Sequence, residues 1–131
     1  MDIQVALTAD EMIKGLKHYR RIAKQDLLRA TQMTHPEFYE QLASTRRNIY
    51  AELADIADTE GTTAALEIAL DYYKKLPFVT GTPEGEYAEI KGRESALENF
   101  FKMVALEPKV RRQARSQRPS MKKLVMLPSA A

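Results

Sequence analysis

The chain has 131 residues, 44% of them hydrophobic and 29% charged, with five Gly and six Pro, which is enough apolar material for one folded domain and too little polar bias for a disordered chain. It contains no cysteine, and this excludes disulfide scaffolds, thiolate zinc sites, iron–sulfur clusters and cysteine nucleophiles together. The formal net charge of +2 conceals a split, because 13 basic side chains stand against 18 acidic ones before Pro108, whereas seven basic and no acidic residues lie from there to the end.

Ile3, Val5 and Leu7 alternate with Gln4 and Ala6, the period of a short extended segment, so residues 1–8 are expected to form an N-terminal arm. Asp2, Asp10 and Glu11 near the start are unlike a secretory leader. Charges interrupt every apolar segment well short of the roughly 20 residues of a membrane span. A soluble protein with no membrane partner is expected, cytoplasmic or carried within a virus particle.

Thr8, with Glu11 three positions on, offers a capping box. Met12, Leu16, Tyr19, Ala23 and Leu27 then recur at spacings of three and four, predicting a first helix from about Ala9 to Thr31. Thr34 and Glu37 repeat the cap spacing around Pro36, and a second helix follows with a stripe of Phe38, Leu42, Thr45, Ile49, Leu53 and Ile56, flanked by Tyr39 and Tyr50. Gly61 supplies its left-handed stop.

Thr62 or Thr63 can cap a third helix. Its residues Ala64, Ala65, Leu66, Ile68, Ala69, Leu70, Tyr72, Tyr73 and Leu76 are apolar or aromatic on nearly every side, so it is expected at the centre of the fold. A loop from Phe78 to Pro83 comes next, and Thr82 with Pro83 announces a fourth helix. Tyr87, Ile90, Leu97, Phe101 and Val104 form its stripe, widened by Phe100 and Met103, and Pro108 closes it. The expected architecture is all-α, with about four helices packed as a small bundle over residues 9–107, between the arm and a basic C-terminal tail at 108–131.

The residues that carry chemistry form no recognisable catalytic constellation. His18 and His35 lie outside any His-Glu-x-x-His arrangement, and there is no Walker lysine, no dinucleotide-binding glycine pattern and no Gly-x-Ser-x-Gly elbow. Glu52, Asp55, Asp58 and Glu60 gather at the end of the second helix, against the favourable direction of its dipole. Their spacing matches no calcium loop, and they are expected to meet something basic. Glu84, Glu86, Glu89, Glu94 and Glu98 on the fourth helix read as a solvated acidic face or a docking face for Arg side chains. No catalytic residue, cofactor or metal site is expected, and the chain reads as a non-catalytic protein.

Two groups of basic residues remain. In the tail, Arg111, Arg112, Arg115, Arg118, Lys122 and Lys123 precede an apolar run, Leu124, Val125, Met126 and Leu127, which suits docking on the body or on a partner. On the first helix, Lys14, Lys17, Arg21 and Lys24 recur at three- and four-residue spacing as a ridge opposite the apolar stripe. The tail leads to the expectation of an interaction or assembly protein, an adaptor or structural component that docks on a protein partner or on copies of itself as a homo-oligomer. The ridge leads to the alternative, a nucleic-acid-binding accessory protein, since cationic side chains on phosphates release counterions.

Overall fold

The computed structural model describes residues 5–79 and 87–120. Among these the fold is all-helical: α1 (Ala9–Arg29), a 3-10 turn (Ala30–Gln32), α2 (Pro36–Glu60), α3 (Thr62–Lys75), α4 (Ala88–Met103) and α5 (Pro108–Ser116). The start of α1 follows the cap chemistry. The Glu11 amide donates to Thr8 Oγ1 at 3.1 Å and the Thr8 amide donates to Glu11 Oε1 at 2.9 Å, two otherwise orphaned donors satisfied reciprocally. The Thr8 amide, then its hydroxyl, hold the Glu11 carboxyl below the usual carboxylate range.

The cap expected at Thr34 falls instead on His35, with φ −126° and ψ 74°. A helix begun at Thr34 would force His35 into α geometry directly before Pro36, and the proline ring disfavours that. At the other end Gly61 adopts φ 99°, the positive value only glycine takes without strain. It is at once the stop of α2 and the cap of α3, so neither Thr62 nor Thr63 serves as the cap.

The central element is α2, not α3. At 25 residues it is about 37 Å long, and α1, α3 and α4 all pack on it. α1 runs antiparallel to it, as the Asp26–Arg46 pair and the Tyr19–Tyr50 stack show. α4 runs alongside it in the same direction, with Gly92 against Leu42 and Thr45 and Asn99 donating to the Tyr50 hydroxyl. A Cβ at Gly92 would lie 2.8 Å from the Leu42 carbonyl oxygen, so this seam is closed by the absence of a side chain. α3 is less apolar all round than its composition suggests, because Thr63, Glu67, Asp71 and Lys75 line up every four residues as one solvent-facing row.

One core joins the helices. Tyr50, Tyr73, Phe100, Phe101, Met12, Leu16, Leu53, Leu66 and Leu97 are its largest fully buried side chains. Val5 and Leu7 pack against it from the N-terminal segment without forming a strand. Residues 1–4, with Ile3, and the start of the fourth helix expected at Thr82 and Pro83 lie outside the described residues. Where four helices were expected, the described residues form five. Ala105 breaks the chain after α4 at φ 55°, and Pro108 opens α5 at its first turn, where a missing amide leaves nothing unpaired. The extra helix was hidden because its apolar stripe is only Val110 and Ala114.

Candidate functional site

The basic C-terminal segment is tied into the body through α5. Ala114 is buried and Val110 half-buried against α3, and the turn after the helix delivers Arg118 into the interior with a side chain 0% exposed. Its Nε donates to the Leu76 carbonyl at 2.8 Å, and its Nη2 donates to the Pro77 carbonyl at 3.0 Å and to Glu94 Oε2 at 2.8 Å. Carbonyls at a helix C-terminus lack intrahelical donors and carry partial negative charge, so this guanidinium caps α3. It also lies over two rings, 4.1 Å from the Phe78 centroid and 4.9 Å from that of Tyr73. Nη1 is buried with no hydrogen-bond acceptor among the described residues.

Arg115 joins the same closure, with Nη1 3.6 Å from Glu98 Oε2 and its guanidinium over Phe78. Glu98 in turn accepts from the Tyr73 hydroxyl at 2.8 Å. Burial, followed by that bond, raises the pKa of Tyr73 above the ordinary tyrosine value. Beyond Pro119 the chain touches the body once more, the Phe78 amide donating to the Pro119 carbonyl in an isolated parallel bridge between Phe78 and Ser120. Arg112 is exposed and Arg111 half-exposed on α5. Lys122, Lys123, Leu124, Val125, Met126 and Leu127 lie outside the described residues.

The ridge on α1 has a different setting. Lys14, Lys17, Arg21 and Lys24 are all exposed. Three of them, Lys17, Arg21 and Lys24, join Arg20 and Arg47 around an open hollow of about 470 Å³ between α1 and α2. Lys14 extends the same solvent face of α1 beyond the hollow. Among the described residues no acidic side chain pairs with any of the five cations that line it.

The nearby acid, Asp26, is already engaged. It accepts from Arg46 Nη1 at 2.9 Å. Burial pulls the Arg46 pKa down, but Asp26 and Tyr50 more than offset this, so it stands above the ordinary arginine value. That pair fixes α1 to α2 and so fixes the two walls of the hollow. Arg20, three positions after Lys17 and four before Lys24, shares the helical spacing of the ridge and is legible from it, whereas Arg47 approaches α1 only through antiparallel packing.

The remaining candidates are quieter. His18 is exposed and tilted against Tyr19, and His35 caps α2. Glu52 accepts from the Tyr72 hydroxyl, a bond that raises the Tyr72 pKa. The basic counterpart expected for Asp55, Asp58 and Glu60 is not found among the described residues. On α4, Glu89 pairs with Arg93, Glu98 with Arg115, and Glu94 with Lys91 as well as Arg118, so of the two expectations for these acids the docking face for Arg side chains describes them better than a solvated face. Glu84 and Glu86 lie outside the described residues.

Among the described residues no three His, Asp or Glu side chains are placed to hold a metal ion, and no helix is long and apolar enough to cross a membrane. Comparison with protein-family models, with curated proteins and with solved structures returns no match.

Proposed function

We propose that this chain is a non-catalytic interaction protein whose cationic hollow on α1 and α2 binds the phosphate backbone of a nucleic acid. One observation carries this reading: Lys17, Arg20, Arg21, Lys24 and Arg47 surround a single concavity with no acidic partner among the described residues. Like charges held side by side repel one another, and a polyanion relieves the repulsion while releasing its own counterions. The reading places the chain where nucleic acid is found, in the cytoplasm or within a virus particle. Purification at low salt tests it directly. The chain has six Tyr and no Trp, so bound nucleic acid dominates its ultraviolet spectrum. An excess at 260 nm that high salt removes is expected. A spectrum of tyrosine alone, together with failure to bind phosphocellulose at low salt, would sink the reading.

A second reading, an assembly or adaptor component, is favoured by a separate observation. Asp55, Asp58 and Glu60 are exposed at one end of α2, and Lys109 and Arg112 are exposed on α5. The two patches suit each other in sign across two copies of the chain or across a protein partner, and such charges steer association. Light scattering on a sizing column should then give a mass above 14.9 kDa that falls when Lys109 and Arg112 become alanine. A monomer at every concentration tested excludes self-assembly.

A further inference from the structure

We infer that the hollow takes double-stranded nucleic acid by its phosphates and does not read its bases; this rests on the function proposed above and narrows it to one ligand form. Three features of the site bear on the form. The first is rigidity. Lys17, Arg20, Arg21 and Lys24 lie on one helix, over a span of about 10 Å, and Arg47 faces them from a second. The seam between the two helices is fastened by the Asp26–Arg46 pair at 2.9 Å and by the Tyr19–Tyr50 stack at 5.5 Å. Charges anchored on two fastened helices suit a ligand whose phosphates are themselves regularly spaced, and a duplex provides that.

The second feature is the absence of a stacking platform. Proteins that hold single strands pair a cationic groove with aromatic side chains on which the bases lie. Among the described residues the lining of this hollow has none, and the neighbouring Tyr19 turns inward onto Tyr50. A single strand must therefore be ordered on this surface with no stacking in return. The third feature is shape. Base edges lie at the floor of a major groove about 8.5 Å deep and are read by an element that protrudes into it. A shallow cationic surface with no protruding element instead meets the raised sugar–phosphate ridge, where contacts position the protein without sequence information.

The test is fluorescence anisotropy of the full chain with two 20-base-pair duplexes of unrelated sequence and a 20-nucleotide single strand of thymidine. Both duplexes should bind within about twofold of each other and at least tenfold more tightly than the single strand. With five contacts the logarithmic salt slope should be about −4.5, a loss of about 500-fold between 50 and 200 mM salt. Arg47→Ala should make that slope shallower by about 0.9, while Arg47→Lys keeps it, because a phosphate needs only the charge. Thermal unfolding of each variant confirms that the fold is intact.

A single strand held as tightly as a duplex, a tenfold preference for one duplex sequence, or a slope indifferent to Arg47→Ala each overturns the inference while leaving nucleic-acid binding in place. Failure to bind any of the three oligonucleotides, or binding only to phosphatidylserine vesicles, overturns the proposed function as well.

Discussion

Arg118 and Arg47 are the same residue type in opposite circumstances. Arg118 is enclosed by two backbone carbonyls, a carboxylate and two aromatic rings. Arg47 shares a hollow with four other cations and no acid among the described residues. Two arginines of the C-terminal segment hold the chain together, Arg115 on α5 by meeting Glu98 and Arg118 just after it by donating to the carbonyls that follow α3. The cations that line the hollow, Lys17, Arg20, Arg21, Lys24 and Arg47, pair with no acid among the described residues, and their proximity to one another raises the free energy of the fold. Charge in this protein thus divides by partner rather than by amount, and experiments that change one region should leave the other unmoved.

The widest separation between the regions is expected from Arg118→Ala. It removes a charged hydrogen-bonding group from a buried site, leaving two carbonyls of the α3 end without their donor and Glu94 with only Lys91 at 3.7 Å. Glu94 is 21% exposed, which moderates the loss, so about 3 kcal/mol of stability is expected to disappear. Arg118→Lys should recover less than half of it, because an ammonium cannot fork between carbonyl and carboxylate while stacking on two rings. Urea unfolding checks both, and a midpoint within error of the parent chain would show that the enclosure is not structural. Oligonucleotide affinity should not change in the folded variant.

Gly92→Ala acts on the frame that both regions share. The new methyl would meet the Leu42 carbonyl at 2.8 Å and Thr45 Cβ at 2.9 Å, and since one of these is backbone the helices must part. Overpacking of this kind costs about 2 kcal/mol. A thermal midpoint that does not fall would mean that the α2–α4 seam is looser than its geometry.

Much of this fold is written in local chemistry. Thr8 and Glu11 place the first helix start, Gly61 marks the break between α2 and α3, and the stripes from Met12 to Leu27 and from Phe38 to Ile56 name faces that are indeed turned inward. What local patterns do not carry is pairing between distant elements. Helix 5 was hidden because two apolar residues, Val110 and Ala114, make too short a stripe. Arg118 looks like any other tail arginine until Phe78, Tyr73 and Glu94 surround it, and they stand 24 to 45 positions away along the sequence. The ridge of Lys17, Arg21 and Lys24 was legible because helical spacing is local. Arg47 was not, since only the antiparallel packing of α1 on α2 brings it there.

A smaller effect should come from Tyr73, whose ring lies under Arg118. Its pKa is raised by burial and by donation to Glu98, so the fold favours the neutral phenol. The stabilisation this gives is complete below the ordinary tyrosine value of about 10 and is lost as pH climbs through the raised value in the folded state. Tyr73→Phe should cost about 1 kcal/mol at neutral pH for the lost hydrogen bond. Its stability should also decline less steeply from pH 10 upward. Parallel alkaline profiles for the two proteins would locate the alkaline sensitivity elsewhere, with Tyr72 the next residue to change.

The smallest expected change has the opposite sign. In the hollow, Arg20→Gln removes one of several neighbouring positive charges and breaks no ion pair among the described residues. Relief of like-charge repulsion should therefore raise stability by about 0.3 kcal/mol at low ionic strength. Salt screens exposed charges over about 10 Å at 0.1 M and about 3 Å at 1 M, so the gain should vanish in 1 M salt. The loss in Arg118→Ala should persist there, because enclosed charges are screened little. Substitution at Arg20 that destabilises the chain, or a gain that survives high salt, would mean that Arg20 has a structural partner, and the hollow would then no longer contrast with the enclosure at Arg118. A fold made more stable and a ligand bound less tightly by the same substitution is the signature of charge kept for binding rather than for folding.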